Sequence, residues 1–304
     1  KWADAFEQDF QALQSSLERK LRAAEASLLR RILADVLPKM DAKDGKLGSG
    51  IRNMARVNLI ERVFDELGRD ETNAILTQYA ESLLGITGKN AAYYLSTGID
   101  KAKIARIVEG LNLVQEMIGL DKDGNLRTDG FLYRLGRSEE VREKLKQYVR
   151  SSIGAKRKLS DFEKGLKELI RGNGQDVNGQ LVGYWQQYAY DMFSQAREVE
   201  NLHFADELRL DNFIYTGPTL ITSRKFCTKK KGKVFSREEA NRDWPKDPDL
   251  INKKNVASYI PLIHRGRNNC IDFLMWISDE LAAELAVYFP CLHPRQHPNV
   301  ILPN

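Results

Sequence analysis

At 304 residues, with 42% apolar side chains and 29% charged side chains of both signs, the chain has room for two compact units and too much core-forming material for wholesale disorder. No apolar run approaches the roughly 18 residues of a membrane span, Lys1-Trp2-Ala3-Asp4 lacks the apolar stretch of a secretion signal, and three cysteines make no secreted-type disulfide framework. The expectation is a soluble protein made in a cytoplasm. The net charge of +5 is uneven, because residues 221–256 carry eleven Lys/Arg against five acids, so the basic excess sits in one short stretch.

In chain order, Trp2, Phe6, Phe10, Leu13, Leu17, Leu21, Ala24 and Leu28 recur at spacings of three and four, which predicts a long amphipathic helix ending near Leu37 before Pro38. Its leading aromatics, Trp2, Phe6 and Phe10, suit docking of the helix into a partner's groove. The other use of the same face is packing onto the chain's own helices. A Gly/Lys-rich loop, Asp41–Gly50, follows. Helices are then predicted over about Ile51–Leu67, Glu71–Leu84, Lys101–Gly119 and Ser138–Ser151, joined by short Gly-containing loops as in an all-α bundle. Asp121-Lys122-Asp123-Gly124-Asn125 brings a calcium loop to mind, but such a loop needs Gly at its sixth position and Glu at its twelfth. This chain has Leu126 and Leu132 there, so a turn through Asp123-Gly124 is expected instead.

The polar, basic Ser151–Lys158 is the expected boundary. It divides the chain into a helical N-terminal region (1–155), a small mixed domain (156–289) and an extended Pro-rich tail (290–304), an α+β protein overall. Ser160 with Glu163 reads as a capping box for a short helix, and a long helix is predicted over Gln180–Leu208 with Leu181, Trp185, Tyr188, Met192 and Ala196 on one face. Beyond Leu210 the pattern changes to short strands: Phe213–Tyr215, Lys233–Phe235 and Phe273–Ile277. Ser236-Arg237-Glu238-Glu239 is a second capping box, and Ser278-Asp279-Glu280 opens a last helix with Leu281, Leu285 and Tyr288 inward.

Four pieces of this second half stand out: Phe213–Gly217 (FIYTG), Ser223–Cys227 (SRKFC), Gly232–Glu239 (GKVFSREE) and Gly266–Cys270 (GRNNC). In that order, after a long helix, they resemble the C-terminal domain of phage head morphogenesis proteins of the Mu F-like minor head group. The resemblance spans roughly residues 160–278. It implies a virion protein, made in a bacterial host and carried in the phage head. Such a protein acts in head assembly and in genome packaging or ejection, by docking to the portal protein or the major capsid protein, with genomic DNA as a further partner. The family pattern continues after its second Cys with Arg-His or Arg-Cys; this chain has Ile271-Asp272.

The chemistry-bearing candidates follow from the same stretch. Lys229, Lys230, Lys231 and Lys233 form a dense basic run, expected as an exposed loop between strands. It is either a sequence-independent phosphate contact or a solvated loop that touches nothing. Cys227, His264 and Cys270 are candidate zinc ligands, and Cys291, His293 and His297 are a second set in the tail. Structural zinc takes four ligands, and neither set has the tight paired spacing of a strong zinc motif. The alternative is two small apolar cysteines adjacent in the core and open to oxidation. Cys227 with His264 is also the only thiol–imidazole candidate pair in the domain for a nucleophilic enzyme, but no protease signature surrounds it. There is no GxxxxGK[ST] and no strand-following GxGxxG. The expectation is no catalytic residue and no required cofactor. A transferase-like effector related to ADP-ribosyl transferases is the enzymatic alternative, although no Arg…Ser-x-Ser…Glu-x-Glu set is present. A cement or connector protein is the structural alternative.

Overall fold

The computed structural model describes residues 2–173, 177–217, 223–250, 258–267, 270 and 272–288. The side chains of residues 2–7 and 288 lie outside that description. The fold is α+β and mostly helical. In chain order the helices are α1 (Trp2–Arg31), α2 (Ile51–Arg56), α3 (Leu59–Leu67), α4 (Asn73–Leu84), α5 (Ile86–Ser96), α6 (Lys101–Gly110), α7 (Leu113–Ile118), α8 (Phe131–Arg137), α9 (Glu139–Gly154), α10 (Leu159–Arg171), α11 (Gln180–Leu208), α12 (Lys225–Lys230), α13 (Arg237–Asp243), α14 (Pro261–His264) and α15 (Asp279–Tyr288). The strands are β1 (Ala42–Lys43), β2 (Lys46–Leu47), β3 (Asn212–Thr216), β4 (Val234–Ser236) and β5 (Phe273–Ile277). No helix among the described residues is long and apolar enough to cross a membrane.

The chain forms two compact units, and neither is a single stretch. One contains residues 9–84 and 115–190, the other residues 1–8, 85–114 and 191–304. A linear division near residue 155 therefore does not describe the molecule. The expected linker Ser151–Lys158 and the expected loop Asp41–Gly50 are hydrogen-bonded to each other inside the helical unit: the Leu47 amide donates to the Arg157 carbonyl at 3.0 Å and the Leu159 amide to the Gly45 carbonyl at 2.9 Å. Asn53, almost fully buried, closes the second of these loops by donating to the Asp41 and Gly48 carbonyls at 2.8 and 2.7 Å and accepting from the Asp41 amide. Polar composition marked both segments as linkers; their backbone groups are in fact satisfied by pairing.

Within the helical unit, the stripe on α1 behaves as a core face. Leu13, Leu17, Leu21, Ala24 and Leu28 are buried, and the half-buried Phe10 ring meets Tyr190 edge-on at 5.9 Å. For Phe10 the docking face is thus occupied by the chain itself; the side chains of Trp2 and Phe6 lie outside the described residues. After Arg31 the chain stays helical through a π-helical turn (Ile32–Val36) and a 3₁₀ turn (Leu37–Lys39) that accepts Pro38 near its start. Helical structure ends at Lys39, close to the expected stop near Leu37. The stretch expected as one helix over 51–67 breaks at Val57-Asn58, and that over 101–119 breaks at Leu111-Asn112. Asp121 makes the expected turn, its Oδ1 accepting from the amides of Asp123 and Asn125 at 2.9 and 2.8 Å, with Gly124 at φ +81°. α10 starts at Leu159 behind Lys158, so Ser160 is not its cap. The buried Glu25 caps α11, accepting from the Val182 amide at 2.9 Å.

The other unit is built on an antiparallel sheet in the order β4-β3-β5. β3 alternates, placing Phe213 and Tyr215 on the buried face. Phe213 pairs across the sheet with Phe235 on one side and Trp276 on the other, ring centroids 6.1 and 4.9 Å apart. Trp244 stands edge-on to Phe213, Tyr215, Phe226 and Phe235 at 5.5–5.8 Å. The α5–α6 hairpin, which periodicity did not single out in full, completes this core with Tyr93, Tyr94, Ile104 and Ile107. The Tyr93 hydroxyl donates to the Trp276 carbonyl at 2.6 Å. Ser236 caps α13 as expected, accepting from the Glu239 amide at 3.1 Å. Ser278 accepts from the Leu281 amide at 3.3 Å, but Leu281 itself is exposed.

Candidate functional site

The four sequence pieces converge in the sheet-containing unit. Cys227, on α12, and Cys270, just before β5, bring their Sγ atoms to 3.9 Å, and both are buried free thiols. Arg224 of the first cysteine's segment donates from Nη1 to the carbonyl of Gly266 in the second's at 2.6 Å. Gly266 explains itself physically: a Cβ there would stand 2.5 Å from the Cys227 sulfur and 3.4 Å from that of Cys270, so only glycine leaves room for the two thiols. Tyr215 of β3 completes the contact, its hydroxyl 3.7 Å from the Cys270 sulfur and 3.3 Å from Asp272 Oδ2.

Behind the thiols lies a buried charge cluster that spacing did not reveal. Arg197, Glu198, Arg265 and Asp272 are all 5% exposed or less. Arg197 Nε donates to Glu198 Oε1 at 3.0 Å and its Nη2 to the Asp272 carbonyl at 3.1 Å, with the guanidinium 4.6 Å from the Phe273 ring centre. Arg265 sits 3.4 Å from Glu198 Oε1 and donates to the Ser194 hydroxyl and, at 3.3 Å, to the Cys270 carbonyl. Burial disfavours the charge on both guanidiniums. Asp272, the residue that departs from the family pattern, takes the Lys231 ammonium on Oδ1 at 3.0 Å. Among these residues three cations face two carboxylates. Cys270 is drawn down to about 5, first by the hydrogen bond from Cys227 and then, against the opposing effect of burial, by the Arg265 guanidinium; the Cys227 thiol is pushed up, first by its bond to Cys270 and then by burial.

A cleft of about 130 Å³ opens on this point, lined by Cys270, Arg265, Arg267, His264, Tyr259 and neighbouring residues. His264, weighed as a ligand or a base, is held by the backbone. Its Nδ1 accepts from the Ile260 amide at 2.8 Å, and burial followed by the nearby Arg267 lowers its pKa. The ring is therefore neutral near pH 7 with its proton on Nε2, which leaves no lone pair for a base or a metal ligand. Among the described residues the group whose donor atoms lie within 4.8 Å of one another is Cys227, Cys270 and Asp272, without His264. Three donors, one of them already held by Lys231, and two guanidiniums nearby suit a dication poorly. The second candidate set, Cys291, His293 and His297, lies outside the described residues, as does the tail 290–304.

The basic run is not the exposed loop expected. Lys229 and Lys230 end α12. Lys230 is 7% exposed; its ammonium pairs with Asp247 and lies 3.8 Å from the Phe226 ring centre. Lys229 pairs with Asp249, Lys231 with Asp272, and Lys233 is half-buried beside β4. The charge count over 221–256 includes Asp247 and Asp249 but not their pairing with Lys230 and Lys229, and Asp272, the partner of Lys231, lies beyond that window. In comparisons with known proteins, no family model, no curated protein and no solved structure matches the chain.

Proposed function

We propose that the chain is a bacteriophage minor head protein that docks to the portal or the capsid interior and works by binding, not turnover. The observation that supports this most is the convergence of the resembling pieces. Phe213–Gly217, Ser223–Cys227, Gly232–Glu239 and, of the last piece, Gly266, Arg267 and Cys270 are spread over more than fifty positions, yet they contribute to the surroundings of Trp244 and the two thiols. A chance scatter of weak motifs has no reason to share one core. Among the described residues the donor group around Cys227 holds Cys270 and Asp272 and no histidine, which favours binding over thiol–imidazole chemistry.

Docking remains the leading mode over DNA contact, because Lys229, Lys230 and Lys231 are engaged with carboxylates and a phosphate would have to displace them. The basic stretch Lys156-Arg157-Lys158, whose two lysines are exposed, is the alternative surface for a duplex. Co-expression with the portal and major capsid proteins of the same phage, followed by sedimentation, tests the reading. Co-sedimentation with portal rings or capsid shells is expected. Sedimentation as a free species in the presence of both overturns it.

A further inference from the structure

We infer that Cys227 and Cys270 form a redox-active dithiol, oxidised to an intramolecular disulfide by an anionic low-molecular-weight disulfide that enters the cleft beside Arg265 and Arg267. The inference is independent of the phage reading. It rests on three features of the site. The sulfurs are already 3.9 Å apart, on segments far apart in sequence, and the missing side chain of Gly266 keeps the space between them clear. Forming a bond of about 2.05 Å needs them to approach by only about 2 Å. Cys270, but not Cys227, is among the residues that line the cleft, while both cysteines are buried to the same degree.

Charge makes the same distinction. Arg197, Arg265 and Lys231 face Glu198 and Asp272, and a Cys270 thiolate supplies the further negative charge that balances the group. The thiolate is the attacking species in thiol–disulfide exchange. The cleft is lined by the guanidiniums of Arg265 and Arg267 against the single carboxylate of Asp191, a net positive lining that favours a disulfide carrying carboxylates.

In the first step the Cys270 thiolate attacks one sulfur of the disulfide RSSR. That S–S bond breaks, RS⁻ leaves, and Cys270 holds a mixed disulfide. In the second, Cys227 gives its proton to the departing thiolate or to water, and its sulfur attacks Cys270 Sγ and expels the second RS⁻. The dithiol loses two electrons and two protons in all, and RSSR becomes two RSH. The product ties α12 to the segment that follows α14.

Glutathione disulfide is the probe, used on the full chain with Cys291→Ser so that only the two site thiols react. Intact mass should fall by two hydrogens with no adduct retained, and digestion without reductant should yield the peptide linking Cys227 to Cys270. Further replacement Cys227→Ser should leave one stable glutathione adduct, on Cys270. Cys270→Ser should leave none at the same exposure. Replacing Arg267 by Gln should slow oxidation by glutathione disulfide several-fold and leave oxidation by neutral hydroxyethyl disulfide unchanged. The linked peptide can be read in the protein with both site thiols intact, so the inference stays testable if a variant fails to fold. Free thiols that survive the exposure, an adduct on Cys227 at the rate seen for Cys270, or one zinc per chain that blocks reaction overturns the inference.

Discussion

At the scale of single residues, the informative positions are charged groups inside the protein. Lys230 lies under Phe226 with its ammonium on Asp247, so Lys230→Gln removes a buried pair and leaves a carboxylate behind. A loss of about 1–3 kcal/mol is expected in urea denaturation. Lys229→Gln, whose side chain is 63% exposed, should leave the midpoint unchanged. Equal effects would mean that the basic run is solvated after all. Glu25 gives a pH signature. Burial raises its pKa from 4.5 to about 7, with the Val182 and Leu181 amides and the charges of Arg22 and Arg171 opposing. A carboxyl with a raised folded pKa holds its proton longer in the folded state, so stability falls as pH rises from about 4.5 to 7 and levels off beyond. Glu25→Gln should therefore be neutral below pH 4.5 and gain on the order of 2 kcal/mol by pH 8. Melting curves at both ends read this directly, and a constant difference would place the titration elsewhere.

At the scale of elements, some pieces were legible and others were not, for physical reasons. β3 and β5 show as short apolar runs bounded by turn residues, and Ser236 with Glu239 carries the cap geometry in its own spacing. Ser160 has the same spacing but lies inside the helix, because Lys158 adopts the extended capping conformation and the helix begins at Leu159. The paired cysteines were legible as a possibility of adjacency. The cluster behind them was not, since Arg197-Glu198, Arg265 and Asp272 read as ordinary surface charges until the fold brings them under β5. His264 was weighed only as an alternative ligand or base, and the Ile260 amide that occupies its Nδ1 has no signature in spacing. Gly266 is the sharpest test at this scale. Gly266→Ala should cost about 1–3 kcal/mol by overpacking the thiols. Replacing Cys227 by Ala in the same chain should recover part of the loss. Failure to recover would mean that the strain lies in the backbone instead.

At the scale of the whole molecule, the chain does not fold in the order in which it is written. Residues 85–114 belong with the sheet and residues 115–190 with the earlier helices, so neither half of the sequence is a domain. Limited proteolysis should accordingly spare Ser151–Lys158, whose backbone is paired with residues 45–47. Early cutting there would restore the linear division. The central claim is that this is a particle protein that acts by binding, and quantitative mass spectrometry of gradient-purified phage particles tests it most directly. The chain should remain with the particles through the gradient at a copy number well below that of the major capsid protein, set by the portal or a capsid vertex. Finding it only in the soluble lysate, with particles assembled normally without it, would contradict the account.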